Sequence, residues 1–128
     1  MLPDCMGLLG DEKHRQSCDL AFDLMESITK RRESEILMAL SPMEKDRKLF
    51  SRCLQDLIEL FGYALRERYR HSPEQTDVRI RKLNTALSAK EILDIIFYTK
   101  QISENLNQNA NHTLALTHYG VLLAAVFE

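Results

Sequence analysis

Turn-forming residues are scarce in this chain. Four glycines and three prolines in 128 residues, without sustained alternation of apolar and polar positions, leave little material for strands and the tight turns that join them. An all-α fold is expected. Cysteine is equally thin: Cys5, Cys18 and Cys53 are odd in number and none stands in C-x-x-C spacing, so neither a disulfide framework nor a thiolate zinc site is indicated and a reducing cytoplasm is expected. Charge of one sign is missing too. With 17 basic and 19 acidic residues the net charge is -2, which supplies no global attraction for nucleic acid, an acidic substrate or an anionic membrane. The longest apolar run is interrupted by Thr117 and His118 and falls short of the roughly 20 residues that span a bilayer. Pro3 and Asp4 stand where a signal peptide needs a basic and then an apolar stretch. A soluble, unexported protein of one domain is expected, since a chain of this size buries roughly two thirds of the surface its unfolded form exposes.

What the chain does have is helical periodicity. A first helix is expected after Asp11, a good N-cap, with Cys18, Ala21, Met25 and Ile28 on one stripe and Leu20 and Leu24 beside it. It stops in the charged run Lys30-Arg31-Arg32-Glu33, and a single helical turn follows through Ile36, Leu37 and Leu40. Ser41-Pro42-Met43-Glu44 reads as a capping box with proline at the first helical position, opening a long helix to about Arg70. That helix carries Phe50, Leu54, Leu57, Phe61 and Ala64, flanked by Cys53, Ile58, Leu60 and Leu65. Its apolar arc is broader than the one buried side of an ordinary surface helix, so it either sits between several neighbours or reaches a partner chain. His71-Ser72-Pro73 breaks the pattern, and Val78, Ile80 and Leu83 indicate a short helix between about Glu74 and Ala86. Ser88 with Glu91 forms a second capping box before Ile92, Ile95, Ile96, Ile102 and Leu106. Asn111 is the expected N-cap of a last helix that is apolar almost all round, from Val121 to Phe127. The expectation is one bundle of about five helices joined by short loops.

The element order and the closing pattern Leu106, Asn109, Asn111, Leu114, Ala115, Leu116 resemble the C-terminal collar domain of bacterial DNA polymerase III clamp-loader subunits, the delta-prime subunit in particular and the gamma/tau subunit less so. Gly7-Leu8-Leu9 with Asp11-Glu12, Ser41 to Asp46, and Leu87-Ser88 with Glu91 extend the likeness over nearly the whole chain. The resemblance divides the chain into residues 1–10, a tail of a preceding lid or a leader, and residues 11–128, the collar proper. Where the family commonly has proline after the second asparagine, this chain has His112. No G-x-x-x-x-G-K-[ST] phosphate loop, zinc-binding cysteine cluster or arginine finger is present, and Ser51-Arg52-Cys53 falls inside an amphipathic helix. The resemblance therefore implies a collar without its ATPase module: a noncatalytic cytoplasmic domain, without cofactor, metal or small-molecule ligand, that holds a loader ring together during DNA replication. Its partners would be the collars of the other subunits. Such a ring is held by heterologous contacts, each about 1,000 Å² or more. The candidate interface residues are Phe50, Leu54, Ile58, Phe61, Leu65, Tyr119, Leu123 and Phe127, with plain core packing the alternative for each.

Several patterns resemble chemistry. His112-Thr113-Leu114 resembles the H-T-L of histidine phosphotransfer bundles, but Ala115 and Leu116 stand where that family has lysine and glycine, and no cation sits three or four residues on to compensate a phosphoryl charge. His14 and Cys18 share a helix face, yet two ligands do not complete a metal site. His71 and His118 have no nearby partner, and the acidic residues Glu26, Glu33, Glu59 and Glu67 are scattered among basic ones. Lys30-Arg31-Arg32 suits the carbonyl end of a helix. The cluster Arg66, Arg68, Arg70, Arg79, Arg81 and Lys82 is diluted by Glu67, Glu74 and Asp77 and lacks interleaved aromatics, so it reads as a solvated or subunit-facing patch in preference to a DNA contact. A phosphotransfer bundle and a free-standing helical adaptor are the competing functional readings.

Overall fold

The computed structural model describes residues 12–30, 32–69, 78–108 and 111–126, over 12–17 and at 33 for the backbone alone. Among the described residues the chain is all-α, with six helices and no strand. The helices are α1 (Glu12–Thr29), α2 (Glu33–Leu40), α3 (Arg47–Arg68), α4 (Val78–Ala86), α5 (Ala89–Asn107) and α6 (His112–Ala125). No helix among them is long and apolar enough to cross a membrane.

The long helix α3 is the axis of the bundle. It packs against α1 on one side and α5 on another, with α4 across its C-terminal half, while α6 lies against both α2 and α5. That placement accounts for the breadth of its apolar arc: Phe50, Cys53, Leu54, Leu57, Leu60, Phe61 and Ala64 are all fully buried, shared among several neighbours. The core continues through Ala21, Leu24 and Ile28 of α1, Ile36 and Leu40 of α2, Ile92, Ile95 and Ile102 of α5, and Tyr119 and Leu123 of α6.

Two expectations about helix starts are corrected. What reads as a single turn through Ile36 is a helix of 8 residues, so the bundle has one helix more than expected. Ser41 does not open the long helix: it is the C-cap of α2, its amide reaching the Leu37 and Met38 carbonyls, and Ser41–Met43 forms one 3-10 turn. The cap of α3 is Asp46, whose carboxylate accepts from the Leu49 amide at 3.0 Å. Pro42 fits a first helical position equally well in a 3-10 turn, which is why the local signal misplaces the boundary. The other caps behave as their residues suggest. Ser88 Oγ accepts from the Glu91 amide at 3.1 Å while Glu91 Oε1 accepts from the Ser88 amide at 2.9 Å, a complete capping box. Asn111 Oδ1 accepts from the Thr113 and Leu114 amides at 3.0 and 3.3 Å. Asp11 lies outside the described residues, and α1 starts at Glu12.

Polar groups tie the helices where apolar packing alone would leave their rotation free. Arg68 at the end of α3 donates through Nη1 to the carbonyls of Asn84 and Leu87, each at 2.9 Å, satisfying the C-terminal end of α4. Asn84 Nδ2 returns a bond to the Ala64 carbonyl at 2.9 Å. Between α5 and α6, Thr99 donates to the Ile95 carbonyl at 2.7 Å, so the 2.6 Å contact with Tyr119 has the tyrosine hydroxyl as donor. Tyr119 is wholly buried, and burial pushes its hydroxyl well above the ordinary tyrosine range. Gly120 lets α6 come close to α2: a Cβ there would stand 2.7 Å from Leu37 Cδ2.

Candidate interaction surfaces

Five of the eight residues expected to face a partner face the inside instead. Phe50, Leu54, Phe61, Tyr119 and Leu123 are 0 % exposed. Phe50 and Tyr119 pack together, ring centroids 6.4 Å apart, and close the space between α3 and α6. Burial against several helices removes all five from any external contact. Ile58 and Leu65 are half-buried on the flank of α3, and Phe127 lies outside the described residues.

The apolar surface is elsewhere. On α5, Leu93 and Phe97 are 52 % and 60 % exposed, one turn apart on the side away from Ile92, Ile95 and Ile102. On α6, Leu114 and Val121 are 70 % and 53 % exposed, two turns apart, with exposed Thr117 and His118 between them. Met38 and Leu37 of α2 add a third exposed group. Sequence reasoning missed these residues because it assigned apolar positions to stripes by strength, and the strongest stripes are the core. The signal was present in the helical spacing: Leu93 and Phe97 lie off the face that holds four of the five inward residues of α5.

A groove of about 480 Å³ runs between α1 and α4, lined by Asp19, Phe22, Asp23, Met25, Glu26, Thr29, Arg79 and Lys82. Its acids come from α1 and its cations from α4, and the Arg79 guanidinium lies 3.7 Å above the Phe22 ring, so the charges of the two walls answer each other across the cleft. The basic cluster of the sequence is dispersed accordingly. Arg68 is occupied by carbonyls and Arg79 by the Phe22 ring. Arg66, Arg81 and Lys82 are exposed, and Arg70 lies outside the described residues. Lys30 sits just past the last turn of α1, its Nζ 3.5 Å from Glu35 Oε2.

The residues with possible chemistry are held by the fold. His112 occupies the first turn of α6, half-buried, and its Nε2 meets the Glu44 carbonyl. A carbonyl accepts only, so that nitrogen carries the proton. His118 is exposed on the outer side of α6, and the side chain of His14 and the whole of His71 are outside the described residues. Cys53 is a free thiol in the core, and burial, with Asp56 adding to it, pushes its titration far above the ordinary range. Cys18 is disulfide-bonded, against the expectation of unpaired cysteines, and the bond withdraws it from the metal pair with His14. Its sulfur lies 4.0 Å from Asp56 Oδ2. Among the described residues, no three of histidine, cysteine, aspartate and glutamate converge on a metal-sized site.

No family model, curated protein or solved structure matches the chain.

Proposed function

We propose that this chain is an assembly domain, and specifically the collar of a clamp-loader subunit of the delta-prime type, noncatalytic by itself and joined to the collars of other subunits. One observation carries the reading. The last helix buries Ala115, Leu116, Tyr119, Gly120 and Leu123 against α2 and α5, yet leaves Leu114 and Val121 on its outer side as bare apolar surface. Leu114 and Val121, two large aliphatic side chains left exposed on one side of a helix that is already packed, are the anchors this reading assigns to another polypeptide. The resemblance of the Asn111-capped ending to loader collars supplies the identity of that polypeptide. The reading places the protein in the cytoplasm.

A free-standing adaptor would use the same surface, whereas phosphotransfer fits less well. A phosphoryl-accepting histidine needs an exposed ring nitrogen, and His112 is half-buried with Nε2 engaged by a backbone carbonyl. The test is reconstitution. The chain is mixed with the remaining loader subunits of its source organism and the complex is resolved by native mass spectrometry, for the wild type and for Leu114→Asp/Val121→Asp. Incorporation of the wild type and loss of the double variant are expected. Failure of the wild type to join any loader subunit would refute the collar, and equal incorporation of both would refute the α6 surface.

A further inference from the structure

The outer side of α5 has an order that the outer side of α6 lacks. From Lys90 to Glu104 the positions on the side opposite the core read Lys90, Leu93, Asp94, Phe97, Lys100, Gln101 and Glu104, all exposed except the half-buried Asp94. At 3.6 residues per turn, Lys90, Phe97 and Glu104 fall on one row; Leu93 and Lys100 lie on one flank of it, and Asp94 and Gln101 on the other. The apolar centre is Phe97, its ring set edge-on against Tyr98 at a centroid distance of 5.7 Å.

We propose that this face is a self-association surface, in which α5 of one copy packs antiparallel on α5 of a second copy about a twofold axis through Phe97. Such an axis sends each residue to one equally far beyond Phe97 on the same flank. Phe97 meets its own counterpart. Lys90 meets Glu104, each about 10 Å from the axis along the helix. Asp94 faces the Gln101 amide, and Leu93 lies under the methylene stem of Lys100. No like charges oppose each other, and every polar group finds a complement. A parallel pairing in register sets Lys90 on Lys90 and Glu104 on Glu104, so the charges choose the antiparallel arrangement.

The same charges have little to do within their own helix. Lys90 with Asp94 and Lys100 with Glu104 are four residues apart with lysine on the N-terminal side, the weaker orientation. Among the described residues none of these four side chains is in an ion pair. The exposed row of α6 offers no comparable code, because α6 contains no acidic residue, lysine or arginine. One helix pair with a single aromatic centre falls below the roughly 1,200 Å² of standard interfaces, so the dimer belongs to the weak, reversible class.

Sedimentation velocity on the full chain across the micromolar range tests this. The wild type should shift from monomer toward dimer mass with concentration. Phe97→Asp should raise the dissociation constant at least about tenfold. Lys90→Glu places two carboxylate pairs against each other and should weaken the dimer about fivefold to tenfold, and Lys90→Glu/Glu104→Lys should restore it. Both charge changes suit the helix dipole at their own ends, so loss of dimer is not loss of fold, which circular dichroism of each variant verifies. Leu114→Asp, on the surface assigned to loader contacts, should leave the dimer unchanged, which separates the two surfaces. A wild type that stays monomeric, a dimer indifferent to Phe97→Asp, or a double variant no better than Lys90→Glu would each overturn the proposal.

Discussion

Cys53 sits at 0 % exposure in the middle of α3, and its thiol titrates far above the ordinary range because burial disfavours the thiolate, with Asp56 as the smaller cause. In the unfolded chain the same thiol ionises near pH 8.5. The native state therefore binds more protons than the unfolded state once the pH passes about 8.5, and stability must fall as pH rises, by about 1.4 kcal/mol per pH unit. Between pH 8.5 and 10 the loss from this one group is about 2 kcal/mol. Cys53→Ala removes only a sulfur atom from the core and should cost about 1 kcal/mol at pH 7, but it also removes the titration. The two stability curves must then cross at about pH 9.2, and at pH 10 the variant should be more stable than the wild type by about 1 kcal/mol. Urea denaturation followed by circular dichroism at half-unit pH steps measures this, because the difference between two chains cancels every shared ionisation. Parallel curves from pH 7 to 10 would show that the thiol reaches water in the native state, and that α3 is not seated between α1 and α5 as described.

The remaining expectations concern the caps, the helix interior and the α5–α6 contact. Asp46→Ala should cost about 1 kcal/mol because its carboxylate caps the Leu49 amide, while Ser41→Ala, at a C-cap without a side-chain bond, should fall within about 0.5 kcal/mol of wild type; thermal denaturation of both variants distinguishes the two assignments of the α3 start. Gly62 lies inside α3, and a Cβ added there meets nothing nearer than Arg66 Nη1 at 4.0 Å, so Gly62→Ala should raise stability by about 0.5 to 1 kcal/mol, and a lowered urea midpoint would contradict the open space at that position. Tyr119→Phe deletes the donor to Thr99 without changing the ring and should cost about 1 kcal/mol. It should also soften the steepening of alkaline unfolding above about pH 10, where the unfolded tyrosine ionises while the buried one does not.

Much of the fold was legible because helix periodicity and capping are local. The Ser88–Glu91 box and the Asn111 cap are decided by residues within one turn, and they stand where the spacing put them. The start of α3 was not legible for the same reason in reverse. Ser41-Pro42-Met43-Glu44 satisfies the local rules for a helix start, and the chain uses it for one 3-10 turn because Leu40 and Met43 are drawn into the core and the direction must change before Arg47. The candidate surface was read least well. An apolar stripe states that it needs cover without stating whose, and for Phe50, Phe61 and Tyr119 the cover is the rest of the bundle.

The same consideration explains why the weaker positions inform more about partners than the stronger ones. A helix with several packed neighbours exhausts its best apolar face inside, so whatever it offers outside must come from residues set off that face. Leu93 and Phe97 are such residues, and they lie among Lys90, Asp94, Lys100 and Glu104, which keep the face soluble while it is bare and supply the register when it is covered. Leu114 and Val121 have no such frame. On the two proposals made above, the α5 face serves a second copy and the α6 face a different polypeptide, and the Phe97→Asp and Leu114→Asp variants should therefore fail in different assays.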